Sequence, residues 1–351
     1  MKQIKRTRDI DVGKSLLIFG DNLMAMKKIV KKYKGLVDLI YIDPPYNTRQ
    51  TFTMTDQRVS TISREKKGVV AYDDNFTLEE YLSFLEKRLK LLYQLLSDQG
   101  SMYLHIDYKI GHYVKVLMDK IFGIANFKND ITRIKSNPKN FKRRAWSNEK
   151  DMILFYAKDY NKNIWNFVTL PLTQEEIQRR FSKKDERGYY NTVPLHAPGE
   201  TYDGETGKVW RGMLPPSGRH WRVAPAKLEE LDQQGLIEWS KNGNPRLKKY
   251  AEEHSGKLYQ DVWRFKDPQY PIYPTEKNED MLKLIVLQSS NENSIVLDCF
   301  CGSGSTLEVA NRLGRHFIGV DNSPVAMKIT KERLADAEYQ YMEMSESLES
   351  K

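Results

Sequence analysis

Short, largely apolar runs alternating with helical patterns constrain this chain most. "VDLIYID" (37–43) is dense in Ile and Leu on both faces. That suits a strand covered on two sides, as in a parallel sheet, better than a half-exposed strand. "SLLIFGDN" (15–22), "GSMYLHID" (100–107), "DMILFYA" (151–157), "SIVLD" (294–298) and "HFIGVD" (316–321) are of the same kind. Between them lie helical patterns. Thr77 and Glu80 have capping-box spacing, ahead of Leu78, Leu82, Leu85, Leu89, Leu92 and Leu96 at helical intervals. "KIGHYVKVLMDKIFG", "NEDMLKLIVLQSS" and "PVAMKITKERLADAEYQ" read the same way, the last with Pro324 at its start. Alternating strand and helix predict a doubly wound α/β sheet.

Two stretches break the texture. Residues 49–76 are polar and irregular, a loop long enough to suggest a functional or mobile segment. Residues 158–270 are rich in Pro, Gly, Trp, Arg and Lys, with one short helix, "PAKLEELDQQG", and a hairpin turning near Asn242-Gly243. The expected organisation is therefore one domain from 1–157 plus 271–335 and a smaller module from 158–270 inserted in it. The Ser- and Glu-rich end, 336–351, is expected to be a flexible tail.

Net charge is +9 over 351 residues, which biases the partner toward a polyanion. Cys299 and Cys301 stand one residue apart, so neither a disulfide framework nor, without a nearby His pair, a zinc site is expected, and no metal is called for. "MKQIKRTRDIDVGKS" has no apolar signal core, and no run approaches membrane-spanning length. The expectation is a protein of the reducing cytoplasm with no membrane partner.

"VLDCFCGSGSTL" joins a strand to a helix through Gly302 and Gly304, which permit a tight turn and close approach to a ligand. No Gly-Lys-Ser/Thr follows, so it is not a P-loop, and Leu307 stands where a dinucleotide fingerprint has its third small residue. Asp321, ending the next strand, is placed to accept from ribose hydroxyls, and Asp298 can meet an ammonium or an amide. A cofactor with a ribose, a positive centre and no phosphate fits these acids, and S-adenosylmethionine (AdoMet) has those properties. An ordinary strand–loop–helix corner would look the same on the loop alone.

"DPPY" (43–46) closes the "VDLIYI" run. Pro44 and Pro45 have no N–H, so the stretch offers only acceptors: the Asp43 carboxylate and nearby carbonyls. Their match is a group with two N–H donors, an exocyclic amine. Two acceptors gripping its hydrogens favour a pyramidal nitrogen whose lone pair turns toward an electrophile. Tyr46 adds a flat face on which a base can stack.

"YIDPPYNT", "YPTEKNEDMLKLI", "IVLDCFCGSGSTL" and "RHFIGVDNSPVA", in this order, resemble the amino-group DNA methyltransferases of the β arrangement, type III modification subunits and type II or orphan adenine enzymes among them. The resemblance covers about residues 13–335, least securely over 158–270. It implies a Rossmann-like AdoMet-dependent methyltransferase fold with circularly permuted motif order and an inserted target-recognition domain. It implies methyl transfer to the N6 amine of a flipped adenine in double-stranded DNA, with cytosine N4 as the alternative and a non-catalytic relic as a third reading. Carried over by motif, Asp298, Phe300, Gly302, Gly304 and Asp321 would hold AdoMet. Thr275, Glu276, Lys277 and Asn278 would hold its methionine end, and Asp21 and Asn22 would meet its adenine. Asp43 and Tyr46, with Pro44 and Pro45 between them, would grip the base. Ser305 departs from a common Thr, and "TEKN" from the commoner Thr-Gln-Lys-Pro. A cognate restriction endonuclease and a homodimer are partners the sequence leaves open.

Two basic stretches are candidates for DNA. "RIKSNPKNFKRRAW" (133–146) carries Lys135, Lys139, Lys142, Arg143 and Arg144 with Phe141 and Trp146 interleaved, either a phosphate track or a solvated basic loop. "KVWRGMLPPSGRHWRV" (208–223) mixes Arg211, Arg219 and Arg222 with Trp210 and Trp221. These residues can read or stack on bases, or form a small aromatic core, and a mixture is expected. His220 is expected to be structural.

Overall fold

A computed structural model describes residues 9–45, 77–137, 142, 144–269, 271, 273 and 276–344, and the backbone of 5–6, 52–55, 58–59 and 69–72. The chain forms two compact units, residues 1–168 with 260–351, and residues 169–259.

The larger unit is built on a ten-stranded sheet. Its strands in chain order are β1 (Lys5–Arg6), β2 (Ser15–Phe19), β3 (Val37–Ile42), β4 (Leu96–Ile106), β5 (Phe127–Ile134), β6 (Lys150–Ala157), β7 (Val262–Trp263), β8 (Ile295–Asp298), β9 (His316–Asp321) and β10 (Tyr339–Glu343). The spatial order is β1-β10-β2-β9-β8-β3-β4-β6-β5-β7. Strands from β1 to β4 pair in parallel, while β6 runs antiparallel to both β4 and β5. The sheet is therefore mixed, and "DMILFYA" lies in its antiparallel part.

Helices α1 (Asn22–Tyr33), α2 (Leu78–Leu95), α3 (Gly111–Phe122), α4 (Glu279–Ser289), α5 (Ser305–Arg312) and α6 (Pro324–Arg333) accompany the sheet. Thr77 and Glu80 cap α2 reciprocally, the Glu80 N–H donating to Thr77 Oγ1 at 3.2 Å and the Thr77 N–H to Glu80 Oε2 at 2.8 Å. Such a cap contributes about 1 kcal/mol. Tyr81, Leu85, Leu89, Leu92 and Leu95 of α2 are buried in one core with Leu16 and Ile18 of β2, Ile40 and Ile42 of β3 and Leu104 of β4. That burial fixes the carboxyl ends of β3, β8 and β9, where the sequence has its acids.

The structure departs from the sequence reading in four places. Tyr339–Glu343 is no tail but strand β10, paired in parallel with β2, and Tyr339, Gln340, Tyr341 and Met342 are buried. Residues 345–351 lie outside the described residues. Phe127–Ile134, not read as a strand, pairs with β6 across the sheet. Within 49–76, Phe52–Thr55, Arg58–Val59 and Val69–Tyr72 form a three-stranded antiparallel sheet, consistent with their Val, Phe and Tyr content.

The fourth departure is the boundary of the smaller unit, which falls inside 158–270. Residues 158–168 are tied to the larger unit by Lys158 N–H to Gly100 O, Ile164 N–H to Gln99 O and Asn166 N–H to Gln288 O. Residues 260–269 are tied to it by β7 and by Asp267 N–H to Lys135 O.

In the smaller unit, Lys183–Asp185, Gly188–Pro194, Pro245–Tyr250 and Ile237–Trp239 form an antiparallel sheet. The hairpin turns through Gly243 at φ +74°, where a residue with a Cβ is strained. Its core is Leu195, Trp210, Trp221, Leu228 and Ile237.

Candidate active site

Parallel pairing sets β8 beside β3, with Leu297 opposite Ile40, and β9 beside β8, with Asp298 opposite Gly319. Asp43, Asp298 and Asp321 thus emerge at neighbouring strand ends. A cleft opens there, lined by Tyr41, Asp43, Tyr273, Glu276, Lys277, Asp298, Phe300 and residues of the 301–306 turn. Ligands of open α/β sheets bind in crevices of this kind.

The glycine turn is built by donors aimed at the acids. Gly302 N–H donates to Asp321 Oδ2 at 2.9 Å, and Ser323 N–H to Asp321 Oδ1 at 2.9 Å. Phe300 N–H donates to Asp298 Oδ1 at 3.0 Å. Gly304 sits at φ +80°, and a Cβ there would stand 2.7 Å from Thr330 Cγ2, so both conformation and space demand glycine. Cys299 and Cys301 are buried free thiols.

Burial, with the Asp43 and Asp321 charges adding, pushes the Asp298 carboxyl up to about 7, against hydrogen bonds from Thr306 and the Phe300 N–H. Burial also raises the Asp321 carboxyl, against its backbone donors. Three carboxylates, Asp43, Glu276 and Asp298, line the cleft against one ammonium, Lys277, a balance that favours a cationic ligand. This donor set fits AdoMet, whose ammonium and sulfonium carry positive charge and whose ribose offers two hydroxyl donors.

Asp43 is 13% and Lys277 11% exposed, and Lys277 Nζ lies 2.6 Å from Asp43 Oδ2. The "TEKN" lysine is thereby joined to the "DPPY" acid. Glu276 is held by Arg333 at 2.6 Å, and Arg333 reaches Glu308 at 2.8 Å. Asn278 caps α4, its Oδ1 accepting from Met281 N–H at 3.0 Å. At the "GDN" corner Asp21 caps α1, accepting from Met24 N–H at 2.9 Å. Asn22 donates to Cys299 O at 2.8 Å and accepts from Arg88 Nε at 2.6 Å. Asn22 therefore ties α1 to the strand end that starts the glycine turn. Arg88 lies over Phe84, which neighbours Phe300 at 6.1 Å between ring centroids. Tyr46 and Thr275 lie outside the described residues.

The model of the N6/N4 DNA methylase family matches residues 37–332. This chain is a member of that family. The type II methyltransferase M.EcaI of Enterobacter cloacae is 42% identical over 91% of this chain and 69% of its own length. The StyLTI Mod subunit of a type III restriction-modification enzyme, from Salmonella typhimurium, is 27% identical over 83% of this chain, which spans 49% of that subunit. A solved structure, the M1.HpyAVI–SAM complex, aligns over 91% of this chain and 100% of its own at 18% identity, with a TM-score of 0.47.

The basic residues of this DNA methylase fall into two groups. Lys142 and Arg144 are exposed, and Trp146 is 96% exposed. Lys135 is instead half-buried, its Nζ 2.6 Å from Asp151 Oδ1, so as placed it serves a buried carboxylate rather than a phosphate. Lys139, Phe141 and Arg143 lie outside the described residues. In the smaller unit Arg211 pairs with Glu229 and Asp232, each at 2.6 Å, beside the Trp210 and Trp239 rings. Trp210 and Trp221 are core residues, their indole N–H groups donating to Glu229 and to Lys208 O. Arg219 and Arg222 are exposed, with Arg222 Nε donating to Pro194 O at 3.1 Å. His220 binds Gly199 O at 2.7 Å, a structural contact.

His105, Asp151 and Arg133, buried on β4, β6 and β5, the three successive strands beyond the one that ends in Asp43, carry no motif in the sequence. "YLHID" could have signalled the first: a His in an otherwise apolar strand beside the strand that ends in Asp43.

Proposed function

We propose that this methylase transfers a methyl group from AdoMet to the N6 amine of an adenine flipped out of duplex DNA. The observation that carries the reading is Asp43, held at the end of β3 in the same cleft as Asp298 and the glycine turn, which Asp321 braces through the Gly302 N–H. AdoMet, the methyl donor, supplies an electrophilic methyl on a sulfonium. Asp298 and Asp321 bind its ammonium and ribose ends, and Phe300 packs against its apolar surface. Asp43 accepts from the target amine and turns the nitrogen lone pair toward the methyl. Pro44 and Pro45 add no competing donor, and Tyr46 stacks on the base. Lys277 balances the Asp43 charge while the base is absent. Because a stacked amine is out of reach, the base must leave the helix.

An Asp at position 43 supports adenine, since the cytosine-N4 branch of these amino-group methyltransferases more often has Ser there. The restriction-modification context of the relatives supports a cognate endonuclease as partner, and the cytoplasm as the place of action. Residues 1–168 with 260–344 act as the catalytic domain, and 169–259 as the target-recognition domain. Asp43→Ala should lower methyl transfer by at least about 1000-fold, as loss of the group that orients the reacting atom does, with AdoMet affinity within a few-fold of the parent. Labelled methyl reaching DNA at the parent rate would defeat the reading.

A further inference from the structure

Behind Asp43 lies a chain of buried polar groups to which the reading above assigns no task. Tyr41 and Asp43 belong to β3 and the residue after it, His105 to β4, Asp151 to β6, and Arg133 and Lys135 to β5 and the residue after it. Lys277 faces the same group from the segment before α4. His105 is fully buried, with Nδ1 3.0 Å from the Tyr41 hydroxyl and 3.9 Å from Asp43 Oδ1. Its Nε2 lies 3.3 Å from Asp151 Oδ2.

The charge states follow from the surroundings. Burial opposes the charge of Asp151, but the His105 hydrogen bond and the Lys135 ammonium more than offset it and hold its carboxyl well below the usual range. Burial lowers the His105 imidazolium against the pull of Asp151 and Asp43. A neutral imidazole facing an anion at Nε2 carries its proton there. Nδ1 is then the acceptor, and the Tyr41 hydroxyl donates a hydrogen bond to it.

We propose that His105, oriented by Asp151, is a positioning residue for Asp43. In the Nε2–H tautomer it turns the Tyr41 hydroxyl onto itself and presents Asp43 with a lone pair instead of a donor. The Asp43 carboxylate then keeps its acceptor capacity for the target amine. In the opposite tautomer the positive end of an N–H dipole would face Asp43 Oδ1 from 3.9 Å, too far for a hydrogen bond but near enough in a buried site to draw the carboxylate's charge away from the amine. This inference rests on the amine-orienting role of Asp43.

Asp151→Asn tests it with almost no change of shape. Lys135, 2.6 Å from Oδ1, retains the remaining carbonyl oxygen and leaves the amide NH2 facing His105 Nε2. The tautomer must then reverse, the logic by which an orienting carboxylate fixes an imidazole. The ring nitrogens of ¹⁵N-labelled His105 in the AdoMet-free chain report the tautomer directly. The expected result is Nε2–H in the parent and Nδ1–H in Asp151→Asn. With it, kcat falls on the order of 100-fold, while KM for DNA and Kd for AdoMet stay within about threefold. A second variant, His105→Gln, should lose kcat in the same way, as should Tyr41→Phe to a lesser degree, at parental unfolding temperatures. A reversed tautomer with parental kcat overturns the proposal, as does a parent that already carries Nδ1–H, or a kcat loss that only follows loss of AdoMet binding. Asp43→Ala run alongside separates the two levels. If it too retains full transfer, the amine-orienting role itself has failed, and not only the part given to His105.

Discussion

Asp298 is the residue whose environment says most about the ligand. Its carboxyl, at about 7, is largely protonated in mildly acid solution, and a bound cation favours the charged form. A cationic ligand should therefore bind more weakly as pH falls below 7 and release a proton on binding near neutrality. Calorimetry of AdoMet binding from pH 5.5 to 8, in buffers of different ionisation enthalpy, should show affinity rising with pH by up to about tenfold per unit. Asp298→Asn should flatten that slope. Proton uptake on binding would contradict the assignment. At Gly304, an alanine meets both a left-handed backbone and the Thr330 side chain. Gly304→Ala should cost about 1–3 kcal/mol of folding stability and most AdoMet affinity, as read by denaturant unfolding and calorimetry.

Strand β10 carries the clearest element-scale test. Met342 is 1% exposed in the main core. Met342→Ala should destabilise the larger unit by about 2–5 kcal/mol, whereas a frayed tail would give a change within about 0.5 kcal/mol. The elements that could be read in advance were those whose cause is local. The capping box at Thr77, Pro324 at the start of α6 and the glycine turn after β8 each announce themselves within a few residues. The partners of a strand do not, so β10 and β5 carry no local signal, and nothing within "DMILFYA" says that it runs antiparallel. Charge hides its partner in the same way. Lys135 looks like a phosphate contact and Arg211 like a base reader in sequence, yet Asp151 and the Glu229–Asp232 pair, on a strand and a helix further along the chain, claim them. Asp43, Asp298 and Asp321 were legible because each ends an apolar run. The His105–Asp151 pair was not, because its meaning lies in neighbouring strands.

Across the molecule, the +9 charge sets how binding to a polyanion responds to salt. DNA affinity should fall by about 1000-fold between 50 and 200 mM salt if about six phosphates are neutralised. Replacing Lys142 and Arg144, both exposed, by Glu should weaken binding and flatten the slope of affinity against salt, as fluorescence anisotropy would show. A salt-independent affinity would remove the basic cluster from DNA binding. The most direct test of the central claim is nucleoside mass analysis of duplex DNA incubated with the protein and methyl-labelled AdoMet. Label is expected in N6-methyladenine, and none with Asp43→Ala. Label in N4-methylcytosine, or none in DNA, would contradict it.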